Sequence, residues 1–304
     1  MDVVSDVLRV TKMGNTIMSR AQFVAPWGIA VDETTKIAVH AVQHGVCWLG
    51  MEGRDPIFLA EGDIVLVAHG APHSLSDAPD TLLSTWEHTL SECSVVAGTE
   101  IEGRAVAQLV CAKYRFGLPA THPLFSQLPN LIHLRAADAV RNPQLQLLVQ
   151  LMRVEVDDSG DGTELVIPRL VDSLLVFILR SWLVSEPEIS ANWFAATRNK
   201  YIAAALSAIH TDPTREWTLE DLAQVAGQSR ATFARQFAAL VGETPMAYLN
   251  QWRLCVAAKD IREGSGTIES VAYSSGYNSP AAFSRAFKRQ YGVPPVALRQ
   301  LAAE

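Results

Sequence analysis

The sequence predicts an α+β chain: a β-barrel with a helical dimerisation region, followed by an all-α part built on two helix-turn-helix units in tandem. Three observations carry that expectation. Short strand-like runs separated by turn residues fill positions 20–116. Apolar residues then recur at helical spacing. A segment beginning at Thr218 is repeated beginning at Thr267.

The β-rich part comes first. Runs at 36–42, 45–49, 64–67, 82–86 and 107–114 alternate or are wholly apolar, and Gly, Pro and Asp clusters such as 52–56 and 60–63 separate them. Many short strands punctuated by turns are the pattern of a small barrel or jelly roll. The period changes to helical at 144–156 and 169–182, where Leu170, Leu174, Leu175 and Ile178 fall on one face. The apolar helix over 169–182 suits dimerisation and core packing equally. Residues 157–162 read as a loop between these helices. Residues 185–192 read as a linker, dividing the chain into 1–184 and 193–304.

The repeat organises the remainder. TLEDLAQVAG at 218–227 resembles TIESVAYSSG at 267–276. After the turn, Phe233, Arg235, Phe237, Gly242 and Pro245 match Phe283, Arg285, Phe287, Gly292 and Pro295. In each copy Thr218 or Thr267 is placed to cap a short helix, with Asp221 at the capping-box position of the first. Gly227 and Gly276 supply a left-handed turn. Ser229 and Ser279 then cap a second helix, with Pro280 suited to its first position. Phe233, Phe237 and Leu240, like Phe283, Phe287 and Tyr291, give that helix a buried stripe. Between the copies, a helix from Pro245 to about Arg262 makes a rod of roughly 27 Å at about 1.5 Å per residue. Such a rod suits two recognition helices entering successive major grooves, about 34 Å apart on one face of DNA.

The outward residues of those helices are therefore the candidate DNA contacts: Arg230, Ala231, Thr232, Ala234 and Arg235 in the first, Ala281, Ser284, Arg285 and Lys288 in the second. A guanidinium fork matches the two acceptors of guanine, which makes Arg235 and Arg285 the base readers. Ser229, Ser279 and the amides at those helix starts suit phosphate.

Charge at first argues against nucleic acid, since the net charge is −7. The distribution answers this: residues 211–304 hold 10 Lys/Arg and 9 Asp/Glu, leaving the acidic excess in the remainder. Binding must rest on placed arginines rather than a bulk field. The four cysteines, Cys47, Cys93, Cys111 and Cys255, form no CxxC pair, and no signal-peptide or membrane-spanning pattern is visible. A reduced cytoplasmic protein is the expectation.

Residues 193–301 resemble the DNA-binding domain of the AraC/XylS family of bacterial regulators. The resemblance rests on WTLEDLA at 217–223, SRATFARQF at 229–237, GETP at 242–245, YLNQWR at 248–253, GYNS at 276–279, AFSRAFK at 282–288 and GVPP at 292–295. It implies promoter DNA and RNA polymerase as partners, activation of transcription, and base contacts around Ala231, Ala234 and Arg235 and around Ala281, Ser284 and Arg285. The N-terminal part resembles the cupin sensor domains attached to one branch of that family, through GDIVLVAHGAPH at 62–73, with Ala68 where the second cupin motif has Pro and Asp77 where it has Asn.

That resemblance implies a small-molecule effector or a redox signal. His40 and His44 share strand parity and with His73 offer three imidazoles, a candidate divalent-metal set. An apolar pocket lined by Trp48, Trp86 and His73 is the alternative effector site. Cys47, Cys93 and Cys111 are the redox candidates, with buried apolar cysteine as the other reading. Cupins include enzymes, but the attached DNA-binding part points to a regulator without a catalytic residue, and the helical region allows a homodimer.

Overall fold

The computed structural model of the chain describes residues 3–11, 16–31, 37–85, 100–101, 104–114, 122–137, 143–157, 160–185 and 193–301. These form two compact units. One comprises Met13–Arg115 and Pro129–Pro187; the other comprises Glu188–Glu304 together with Met1–Lys12 and Phe116–Leu128. The second unit thus draws on two segments from before residue 185 as well as on the C-terminal part. Two segments of the N-terminal half belong to the helix-turn-helix unit, because their apolar and polar side chains are satisfied there.

Among the described residues the first unit is a two-sheet barrel with two helices. Its strands are β1 (Thr16–Val24), β2 (Gly28–Val31), β3 (Ile37–His44), β4 (Cys47–Met51), β5 (Ile57–Leu59), β6 (Ile64–Ala68), β7 (His73–Ser76), β8 (Ser84–Thr85), β9 (Glu100–Ile101), β10 (Arg104–Tyr114) and β11 (Leu131–Leu134). One sheet runs β1-β10-β3-β6-β11, with β9 on β10; the other runs β5-β4-β7-β2-β8. Alternation sends Ala38 and Val42 of β3, Leu109 and Cys111 of β10 and Cys47 and Leu49 of β4 inward, where they meet Phe23, Trp27, Ile29, Leu59 and Leu75 in one core. Asp63 anchors a rim of this unit: it accepts from Ala136 N at 2.7 Å and faces His133 Nε2 at 3.0 Å. Asp77, at the position of the cupin Asn, accepts from Trp27 N and Thr81 Oγ1 and so holds a turn.

In chain order the helices are α1 (Val3–Thr11), α2 (Pro123–Ser126), α3 (Pro143–Asp157), α4 (Thr163–Ser185), α5 (Trp193–Arg198), α6 (Lys200–Thr211), α7 (Leu219–Val225), α8 (Arg230–Val241), α9 (Pro245–Arg262), α10 (Ile268–Ser274), α11 (Pro280–Tyr291) and α12 (Pro295–Leu301). Helix α4 packs on α3, β1 and β11. Its apolar face, Val171, Leu174, Leu175, Ile178 and Leu179, is buried in the unit's own core. Core packing is thus the role of the apolar helix over 169–182. The exposed apolar stripe is on α3 instead, where Leu147, Leu151 and Val154 recur at helical spacing. The stretch from Trp193 is interrupted at Asn199, whose side chain caps α6 by accepting from Tyr201 N and Ile202 N. Among the described residues no helix is long and apolar enough to cross a membrane.

Candidate DNA interface and sensor cluster

The two helix-turn-helix copies are built alike. Thr218 caps α7 in a reciprocal capping box with Asp221, and Thr267 caps α10 by accepting from Ser270 N. Gly227 and Gly276 turn at φ 63° and 79°, where a side chain would be strained. Ser229 accepts from Thr232 N to start α8, and Ser279 accepts from Ala282 N to start α11, with Pro280 in the first turn. Phe233, Phe237 and Val241 of α8 are fully buried, as are Phe283 and Phe287 of α11, with Tyr291 nearly so. The sequence pattern pointed to Leu240 as the third member. The i, i+4, i+8 stripe takes Val241, matching Tyr291, and leaves Leu240 half-buried.

This burial fixes what faces outward. Arg230, Ala231, Thr232 and Arg235 are exposed on α8; Ala281, Arg285 and Lys288 are exposed on α11, with Ser284 half-exposed. Ser229 is exposed and Ser279 half-exposed at the two helix starts. Arg235 and Arg285 each follow the first buried Phe by two residues, so both guanidinium groups occupy the same register. The central helix α9 packs against both copies, through α7 and α8 on one side and α10 and α11 on the other.

A buried polar network underlies the first copy. Tyr248 Oη lies 2.7 Å from His210 Nε2, 3.1 Å from His122 Nε2 and 3.3 Å from Trp193 Nε1. His122 Nδ1 accepts from Leu124 N, so the neutral ring carries its proton on Nε2 and donates to Tyr248. Trp193 also donates, and the tyrosine hydroxyl, having accepted two bonds, donates its own proton to His210. Burial drives His122 well below its usual range and pushes His210 down to about 3, so both rings are neutral. His210 Nδ1 sits 4.0 Å from Asp6 Oδ2 of α1, which packs on α6 and α9. Nothing in the sequence marks His122, Gln127 or His210, and Tyr248 stands in the motif at 248–253 without a sign of its partners, which lie up to 126 residues away.

In the barrel unit the imidazoles divide. His40 and His73 meet with their Nε2 atoms 2.9 Å apart, and His40 Nδ1 lies 2.9 Å from Cys111 Sγ. His73 Nδ1 faces Ala71 O at 2.9 Å, which requires a proton on that nitrogen. The neutral tautomers follow: Cys111 donates to His40 Nδ1, and His40 Nε2 donates to His73 Nε2. Burial lowers both histidines and raises the Cys111 thiol, while Cys47, buried in the same core, is pushed up to about 12.

His44 does not join them. The β3–β10 register slips by one residue between Gln108 and Leu109, so alternation no longer carries His44 inward, and it pairs with Glu61 at 3.1 Å. The three-imidazole set of His40, His44 and His73 is therefore not assembled, and among the described residues no group of three metal-binding side chains is placed to hold an ion. Trp48 is also displaced. Cys47 and Leu49 point inward, so Trp48 points outward and packs edge-on to Phe58. Cys93, Trp86 and the linker at 186–192 lie outside the described residues. Cys255 is buried on α9, where Tyr291 Oη donates to its sulfur at 3.4 Å.

Compared with known proteins, a cupin family model matches residues 2–184 and a helix-turn-helix domain model matches residues 222–301. The chain is similar to an AraC-like transcription regulator of Streptomyces lividans, 33% identical over 296 residues and 97% of each chain. A second, from Streptomyces antibioticus, is 32% identical over 306 residues, again 97% of each. A helix-turn-helix transcriptional regulator of Haemophilus influenzae is 27% identical over 306 residues, 99% of each.

Proposed function

Since the chain belongs to the AraC-like family of helix-turn-helix transcription regulators, with an N-terminal cupin domain, we propose that it reads promoter DNA through Arg235 and Arg285 in response to a small molecule sensed in its barrel. The chain is a DNA-binding regulator, not an enzyme, as its relatives are. The observation that carries the residue assignment is the equal register of two exposed arginines on two recognition helices built alike. Arg235 and Arg285 read guanine edges. Ser229, Ser279 and the first-turn amides hold phosphates, and Arg230, Thr232, Ser284 and Lys288 line the grooves. Ala231, Ala234 and Ala281 offer only a methyl, suited to thymine.

The test uses duplexes selected from a random pool by the full-length protein, at one fixed salt concentration. Arg235→Ala and Arg285→Ala are each expected to cost about 1–3 kcal/mol of discrimination against the wrong base. Unchanged selectivity in the double variant would refute the reading.

Sensing is assigned to the Cys111–His40–His73 chain, the polar group of an otherwise apolar barrel interior. An effector that competes for the bond between His40 and His73 is favoured over an oxidant, because burial keeps the Cys47 and Cys111 thiols protonated and unreactive. His73→Phe is expected to abolish the promoter response in cells while leaving DNA affinity in vitro unchanged; a retained response would overturn the assignment. The exposed Leu147, Leu151 and Val154 stripe on α3 suits a second copy of the chain. Promoter activation through RNA polymerase, in the cytoplasm, completes the proposed role.

A further inference from the structure

The first recognition helix is gripped from outside its motif. Gln127, just after α2, accepts from Trp193 N with its Oε1 at 2.6 Å and donates from Nε2 to Val241 O at 2.8 Å. Val241 ends α8, so its carbonyl has no donor within the helix. The same amide nitrogen lies 3.0 Å from where a Cβ on Gly242 would sit. Gly242 thus serves twice: it takes the left-handed cap at φ 87° and leaves room for the clamp. The matching Gly292 caps α11 at φ 76° with open space around it. His122, five residues before Gln127, adds its bond to Tyr248 on α9. Pro123, Leu124 and Phe125 between them are buried.

We propose that Gln127 and His122 are positioning residues of the first recognition helix. They fix the C-terminal end of α8 against α5 and α9. Arg235 lies six residues back, about 9 Å along the axis, so a tilt of about 10° at Val241 would move it by about 1.5 Å. A hydrogen bond to a base edge does not survive a displacement of that size. This rests on the DNA-binding reading above.

The experiment uses the full chain and the selected duplex, with the half read by each helix assigned from Arg235→Ala and Arg285→Ala. Gln127→Met keeps the side chain's length and removes both bonds; Gln127→Glu keeps the acceptor for Trp193 N and loses the donor to Val241 O. Each is expected to weaken discrimination in the α8 half by about fivefold and leave the α11 half unchanged. No change, or an equal loss in both halves, would overturn the proposal, since a purely structural role would not separate them. If wild type itself shows no selectivity in either half, the DNA-binding reading fails, a result distinct from selective wild type with indifferent Gln127 variants.

Discussion

The two helix-turn-helix copies share caps, turns and arginine register, yet their surroundings differ. The first rests on a polar aromatic core: Tyr248 is bonded to His122, His210 and Trp193, while Trp252 stacks on His210 with ring centroids 3.9 Å apart. Helices α1 and α2, from the N-terminal half of the sequence, supply part of that core. The second rests on an apolar cluster of Leu254, Ala257, Ile261, Val271, Phe283, Phe287 and Leu298 that is local in sequence. What the copies share is the face proposed to meet DNA. What the first has besides is a core drawn in part from distant sequence.

The largest expected effect separates the copies at their tyrosines. Tyr248→Phe strands two donors and one acceptor in a dry core, at a cost of about 3 kcal/mol or more. Tyr291→Phe removes the weak bond to the Cys255 sulfur and should cost less than Tyr248→Phe. Hydrogen exchange in α8 and α11 checks both, and equal costs would erase the distinction.

Acid should act on the same side. A histidine held neutral by burial stabilises the fold above its unfolded value near 6.5, and that contribution is lost as pH falls toward the folded value, about 3 for His210. At pH 5 each such ring costs about 2 kcal/mol relative to pH 7. Glu243, raised to about 7 by burial, runs the opposite way, but its partial exposure limits the offset. With two such rings and a partial offset, the first copy should therefore loosen by about 2–4 kcal/mol between pH 7 and 5. The second has no histidine from Leu254 onward and should not. Amide exchange at the two pH values, corrected for intrinsic rates, tests this. Smaller still is the glycine pair: Gly292→Ala should cost about 1 kcal/mol for its left-handed φ, and Gly242→Ala measurably more because it also meets Gln127. Thermal unfolding of the two variants compares them.

The sequence disclosed most of what is local. Thr218, Asp221, Ser229, Ser279, Pro280, Gly227 and Gly276 act within a few residues of themselves, so their spacing was enough to place both motifs and the exposed arginines. Pairings across the chain left no such mark. Arg262 donates to Val10 O across 252 positions, and Gln127 reaches Val241 across 114. Neither residue has a neighbour that advertises a partner. In the barrel, parity suits His40 but misplaces His44, because a single slip in strand register is invisible to alternation. The short β2, β5 and β7 fell below the length at which a period can be read.

The central claim is that α9 holds two recognition helices at a spacing matched to one turn of DNA. Inserting five base pairs between the two halves of the selected duplex tests it most directly, because the second half then faces away from α11. The account predicts that affinity falls to that of a duplex carrying one half alone. Binding unchanged by the insertion would contradict it.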